Sequence, residues 1–119
     1  MQIHAGQYKG RRVKTVKNSP YRPTTSLVRK SLFDILGDIS GKHVLDLFAG
    51  SGIIGFEAGS RGAGSITFVE SSMRVNSLLK MNGALFTHTK FNYVRQDALR
   101  FLRTCGEYDI IFADPPYSY

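Results

Sequence analysis

At 119 residues the chain is sized for one domain, and its single cysteine, Cys105, excludes an internal disulfide framework. A net charge of +7, with 42% hydrophobic and 21% charged residues, is that of a globular protein rather than a disordered tail. No apolar run approaches the roughly 18 residues of a membrane span and no apolar leader opens the chain, so a reducing, cytoplasmic setting away from membranes is expected.

Residues 2–17 read as an extended basic segment with turn points at Gly6 and Gly10, ended by Asn18, Ser19, Pro20 and Pro23. A helix follows, capped by Thr24 or Thr25, with Leu27, Val28, Leu32, Ile35 and Leu36 at helical spacing and Gly37 as its stop. After a loop at 38–42 come a buried strand at 43–48, a glycine turn at 49–52 and a helix at 53–61, which Gly62–Gly64 end. The pattern repeats. A strand at 65–70 precedes a helix at 72–84, with Val75, Leu78, Leu79 and Leu85 on one side. A strand at 91–96, a short helix at 97–104 and a strand at 108–113 complete the series. Strands alternating with helices predict an α/β fold, a mostly parallel sheet with helices on both faces. Residues 1–37 read as a basic arm and helix appended to an α/β domain at 38–119, together one structural unit. The scattered His4, His43, His88 and Cys105 have no metal-ligand spacing, so no metal is expected.

The charge is unevenly placed. Residues 1–33 hold Lys9, Arg11, Arg12, Lys14, Lys17, Arg22, Arg29 and Lys30 and no acid, whereas the remainder is nearly neutral. A basic segment on a neutral body suggests contact with nucleic acid through Lys9, Arg11, Arg12, Lys14 and Arg22. A solvated tail is the plainer alternative. A membrane surface fits less well, because the segment lacks a wide apolar helical face.

Gly50-Ser51-Gly52-Ile53-Ile54-Gly55 matches G-x-G-x-x-G between a strand and a helix, and Glu70 ends the next strand. Such glycines let backbone approach a nucleotide, and the carboxylate accepts from ribose hydroxyls. The same residues also suit a plain strand-to-helix turn. Asp46, inside the first strand, suits a cation better than a pyrophosphate, since two anions repel. Asp97 either reaches an adenine amino edge or caps the helix it starts. A ligand with a cationic amino-acid end, a ribose and an adenine fits Asp46, Glu70 and Asp97 together, and S-adenosylmethionine has those parts. A dinucleotide fits them less well.

The fourth strand runs into Asp114-Pro115-Pro116-Tyr117. Two prolines make a stiff turn, either a simple strand terminator or a device that aims a carboxylate, carbonyl oxygens and an aromatic face into one space. An exocyclic amine on a flat base needs such acceptors and a surface to stack on.

The run from Val44 to Gly52, with Asp114-Pro115-Pro116-Tyr117, resembles class I S-adenosylmethionine-dependent amino-methyltransferases of Rossmann-like fold. Gly6-Gln7-Tyr8-Lys9-Gly10-Arg11, Arg22-Pro23-Thr24, the run from Val28 to Leu36 and Ser60-Arg61-Gly62-Ala63 resemble the bacterial 16S ribosomal RNA guanine-N2 methyltransferase family. The resemblance implies cofactor contacts from Asp46, Phe48, Gly50, Gly52, Glu70, Asp97 and Ala98. It implies that Asp114 and the Pro115 carbonyl, with Pro116 stiffening the turn, hold the target amine while Tyr117 stacks on the base. The implied partner is ribosomal RNA or the small ribosomal subunit. Gly55 and Gly59 depart from expectation, since glycine inside a helix costs about 1 kcal/mol.

The chain stops at Tyr119, where the family continues with further strands. That predicts an uncovered sheet edge, C-terminal strands missing, impaired activity of this chain and a possible homo-oligomer through the edge. A DNA amino-methyltransferase and a non-catalytic RNA-binding remnant are the alternatives. An NAD-dependent oxidoreductase is disfavoured, since no hydride-transfer residues accompany the turn.

Overall fold

The computed structural model describes residues 1–15 and 24–115. Its elements are α1 (Ser26–Leu36), β1 (His43–Leu47), α2 (Ile53–Ser60), β2 (Ser65–Val69), α3 (Met73–Gly83), β3 (Lys90–Val94), α4 (Ala98–Thr104) and β4 (Ile110–Ala113). The four strands are parallel in the order β3-β2-β1-β4. This is a Rossmann-like α/β fold, as predicted. The order reverses at β1, so the carboxyl ends of β1, β2 and β4 border a natural ligand crevice.

Alternation along the strands sorts the side chains into two cores. Val44, Ile66, Phe68, Phe91 and Tyr93 face Phe33 of α1, Phe56 of α2 and Leu79 of α3. Leu45, Leu47 and Val69 face Ala98 and Phe101 of α4. The helices thus cover both faces. Rings dominate the first core, with Phe56 4.9 Å from Phe68 and 5.1 Å from Phe86 between centroids. Such tilted and edge-on pairs add about 0.5–1.5 kcal/mol each beyond area burial.

The N-terminal segment is no free arm. Gln2 bridges Arg12 in antiparallel fashion, and Ile3, Tyr8 and Val13 are buried in the larger core. Gly6 turns at φ 85°, and a Cβ there would lie 1.9 Å from the Ser60 carbonyl oxygen, so the turn presses directly on the end of α2. Residues 16–17 of the expected extension lie outside the described residues.

Helix α1 departs from its expected face. Of the two expected caps, Thr24 and Thr25, it is Thr25 that serves, accepting from the Val28 amide. Yet Leu27, Val28 and Ile35 are exposed, and Arg29 and Phe33 point inward. Charge pairing overrides apolar spacing here. Arg29 lies 3.4 Å from Glu57, and Phe33 packs on Phe112 with the Arg61 guanidinium 4.7 Å from its ring centroid. Helix α3 likewise buries Val75 and Leu79 with Asn76, Asn82 and Gly83, while Leu85 is exposed. Its close approach requires Gly83, where a Cβ would strike the Tyr93 hydroxyl. Strand β3 begins and ends a residue or two earlier than expected, and β4 begins two later.

Candidate functional site

The turn after β1 is built from backbone that only special positions adopt. Phe48, Gly50 and Gly52 have φ of 55°, 56° and 83°. For Phe48 this left-handed conformation is strained, and such strain gathers at functional sites. The turn is held by the Ala49 amide donating to the Val69 carbonyl at 3.3 Å and the Gly52 amide donating to the Ala49 carbonyl at 2.9 Å. A Cβ on Gly52 would lie 2.5 Å from Leu79 and 2.6 Å from Phe56. Gly55, the third glycine of the motif, lets α2 sit against β2, since a Cβ there would lie 2.3 Å from the Phe68 ring. Close helix–sheet packing therefore accounts for the helical glycine that propensity disfavours. Gly59 packs similarly near Thr89 and Phe91.

Two predicted acids converge under this turn. Asp46 is 4% exposed and accepts from the Gly55 amide at 3.2 Å. Burial pushes its carboxyl up to about 8, against the lowering effect of the Gly55 hydrogen bond, and the charges of Glu70 and Asp114 push it the same way. Glu70 is buried, accepting from the Gly50 amide at 3.3 Å and the Ser72 amide at 2.9 Å. It therefore ties the glycine turn to the loop that starts α3. Register sets the third acid beside them. Ala113 is level with Leu47, so Asp114 leaves the sheet next to Phe48. Asp114 and Pro115 are exposed, facing solvent at the strand end. Pro116 and Tyr117 lie outside the described residues, as does Arg22.

Of the two roles open to Asp97, the structure displays the cap: its side chain accepts from the Arg100 amide at 3.1 Å. Ala98 is buried in the smaller core with Leu45, Leu47 and Val69. Among the basic residues, Lys9, Arg11, Arg12 and Lys14 are exposed on the N-terminal segment. Arg11 lies over the Tyr8 ring at 5.1 Å and donates to the Leu85 carbonyl, so it is docked rather than loose. Arg29, part of the same charge excess, is buried against Glu57 and donates to the Gln2 carbonyl.

Sequence reasoning missed Glu57. It is fully buried on α2, paired with Arg29 and, at 2.9 Å, with Arg61. Its oxygens also accept from the amides of His4 at 2.8 Å and Ala5 at 3.2 Å. The available signal was a lone acid in the otherwise uncharged stretch Ile53–Ser60. Among the described residues, no group of three or more His, Cys, Asp or Glu could hold a metal ion, and no helix is long and apolar enough to cross a membrane.

The chain matches the family described as Conserved hypothetical protein 95 over residues 1–119. It is 37% identical to Ribosomal RNA small subunit methyltransferase D of Escherichia coli (strain K12), over 98% of this chain and 60% of that protein. It is 39% identical to Putative rRNA methyltransferase YlbH of Bacillus subtilis (strain 168), over 99% of this chain and 67% of that protein. The chain thus spans about two thirds or less of the length of the curated relatives it matches. The solved structure of the putative methyltransferase yhhF from Escherichia coli superposes with a TM-score of 0.88 at 34% identity, over 98% of this chain and 64% of that one. SMU.776, a putative methyltransferase complexed with SAH, superposes with a TM-score of 0.62 at 29% identity, over 76% of this chain and 25% of that one. The chain belongs to the Conserved hypothetical protein 95 family and carries the Rossmann-like class I methyltransferase fold.

Proposed function

We propose that this chain serves S-adenosylmethionine-dependent methyl transfer to the exocyclic N2 amine of a guanine in 16S ribosomal RNA. The observation that carries the reading is Asp46, buried beneath a glycine turn with two further carboxylates, Glu70 and Asp114, acting on it. A ligand that brings an ammonium group favours the ionised form of Asp46, which burial otherwise disfavours, and Glu70 at the end of β2 suits a ribose. The residues therefore fit S-adenosylmethionine, which when bound supplies an electrophilic methyl group.

Asp46 holds the amino-acid end. The turn through Gly50 and Gly52, whose positive φ angles set its path, lines the same end of the ligand. Glu70, oriented by the Gly50 and Ser72 amides, serves as the acceptor for the ribose hydroxyls. Asp97 and the first amides of α4, Ala98 included, meet the adenine edge. Asp114 and the Pro115 carbonyl accept the two hydrogens of the target amine and so aim its lone pair, and Tyr117 is the residue that the family resemblance assigns to stacking on the base. Catalysis then comes from positioning and from exclusion of water. Lys9, Arg11, Arg12, Lys14 and Arg22 contact RNA phosphates, a sequence-independent and salt-sensitive term.

The test is methyl incorporation into small ribosomal subunits, 16S RNA and DNA, with the labelled nucleoside identified. N2-methylguanosine in the RNA, lost in Asp114→Ala while S-adenosylhomocysteine still binds, is the expected result. Incorporation into DNA alone overturns the reading.

A further inference from the structure

The basic segment and the glycine turn meet at one side chain. Asn82, near the end of α3, is 1% exposed. Its Oδ1 accepts from the Lys14 amide at 3.1 Å, and its Nδ2 donates to the Lys14 carbonyl at 2.9 Å. The same Nδ2 donates to the Ser51 carbonyl at 3.4 Å, between the two glycines of the turn. Asn82 therefore offers Lys14 the two-point pairing that a neighbouring strand would give, and reaches the turn with its second hydrogen. Ser51 in turn donates from its hydroxyl to the Met1 sulfur at 3.5 Å, and the Val13 amide donates to the Met1 carbonyl at 2.7 Å.

Only a carboxamide meets these demands from one rotamer. It accepts from one N–H and donates to two carbonyls, which a carboxylate, a hydroxyl or an aliphatic side chain cannot do. Fixing Lys14 fixes the amide plane and thus the hydrogen aimed at Ser51. Fixing Ser51 fixes the same plane from the other side.

We propose that Asn82 is a positioning residue that couples ligand binding at the glycine turn to nucleic-acid binding by the segment around Lys14, each strengthening the other. The inference rests on the function proposed above for the nature of the two ligands. Coupling of this kind is reciprocal: RNA tightens the cofactor site by the same factor that the cofactor tightens RNA.

The experiment measures S-adenosylhomocysteine affinity of the full chain, with and without a 16S ribosomal RNA transcript, for the wild type, Asn82→Asp and Asn82→Ala. The wild type is expected to bind S-adenosylhomocysteine about fivefold or more tightly when RNA is present. In Asn82→Asp, which keeps the acceptor and loses both donations, the ratio falls to about one. A purely structural role lowers both affinities but leaves the ratio unchanged, and that result overturns the proposal. A wild-type ratio of one overturns it without any variant. Hydrogen exchange in the wild type gives a second reading that needs no folded mutant: added S-adenosylhomocysteine protects the Lys14 amide, and no added protection overturns the coupling. Failure of either ligand to bind the wild type overturns the functional reading itself, and this inference with it.

Discussion

Glu57 and Asp46 are buried carboxylates on the same side of the sheet, one on α2 and one on the strand beneath it, yet their surroundings differ in kind. Glu57 sits between two guanidinium groups and accepts from two backbone amides. Asp46 accepts from the Gly55 amide and has two other carboxylates for charged neighbours. The first cluster is neutralised from within and fastens the N-terminal segment and α1 to α2. In the second, burial and two neighbouring carboxylates raise the affinity of Asp46 for its proton, at the crevice where strands end. Buried charge by itself does not mark a functional site. A buried carboxyl whose ionisation the fold disfavours, set at a strand-end crevice, is the better candidate, because a cationic group of a ligand can stabilise its ionised form.

The contrast can be broken most sharply at Glu57. Glu57→Ala leaves Arg29 buried without its anion and should cost about 3–5 kcal/mol, read from urea unfolding midpoints. Unfolding unchanged to within about 0.5 kcal/mol would show that the network does not hold the segment. Next in size is Gly55→Ala, whose methyl would lie 2.3 Å from the Phe68 ring. Overpacking of this kind costs about 1–3 kcal/mol, and here it also displaces the amide that serves Asp46.

Asp46→Asn sharpens the comparison from the other side. The unfolded carboxyl ionises near 3.8 and the folded one at about 8, so the folded state holds the extra proton between those limits. The contribution of Asp46 to stability is greatest below 3.8, falls as pH rises toward 8 and is level above it. Asp46→Asn should abolish that fall and gain more than about 1.4 kcal/mol at pH 8, the free energy of a tenfold change in the ionisation equilibrium. S-adenosylhomocysteine binding should weaken in the same variant. A loss of stability at pH 8 would contradict the carboxylate reading.

The smallest effect belongs to the neutralised cluster. His4 Nε2 contacts Ser26 Oγ at 2.6 Å and accepts from Arg29 at 2.9 Å. Burial, and then the charge of Arg29, hold the imidazole below its ordinary 6.5. The unfolded state then takes up the proton first, so stability is lost as pH falls through 6.5, opposite in sign to the Asp46 effect. His4→Gln should flatten this acid limb in pH-dependent unfolding, and an unaltered limb would assign it elsewhere.

Much of this was legible from local chemistry. Thr25 and Asp97 cap their helices because a short polar side chain before an apolar run serves the first free amides. The glycine turn was legible because only glycine tolerates those dihedrals cheaply. The inward face of α1 was not, since Leu27, Val28 and Ile35 keep helical spacing yet stay exposed while Arg29 turns in. No periodicity records that its partner, Glu57, waits on another helix.

Local sequence was enough to set the alternation of strands and helices, the place of the turn after β1, and the acids in or just beyond successive strands. These depend on near neighbours and on burial of single segments. Tertiary structure alone decided which buried charges are paired, that the basic segment is docked rather than free, and that Asn82 joins it to the turn. Those outcomes hang on contacts between residues far apart in the chain, such as Asn82 with Ser51 and with Lys14. Their energy is gained only once the chain has closed around them.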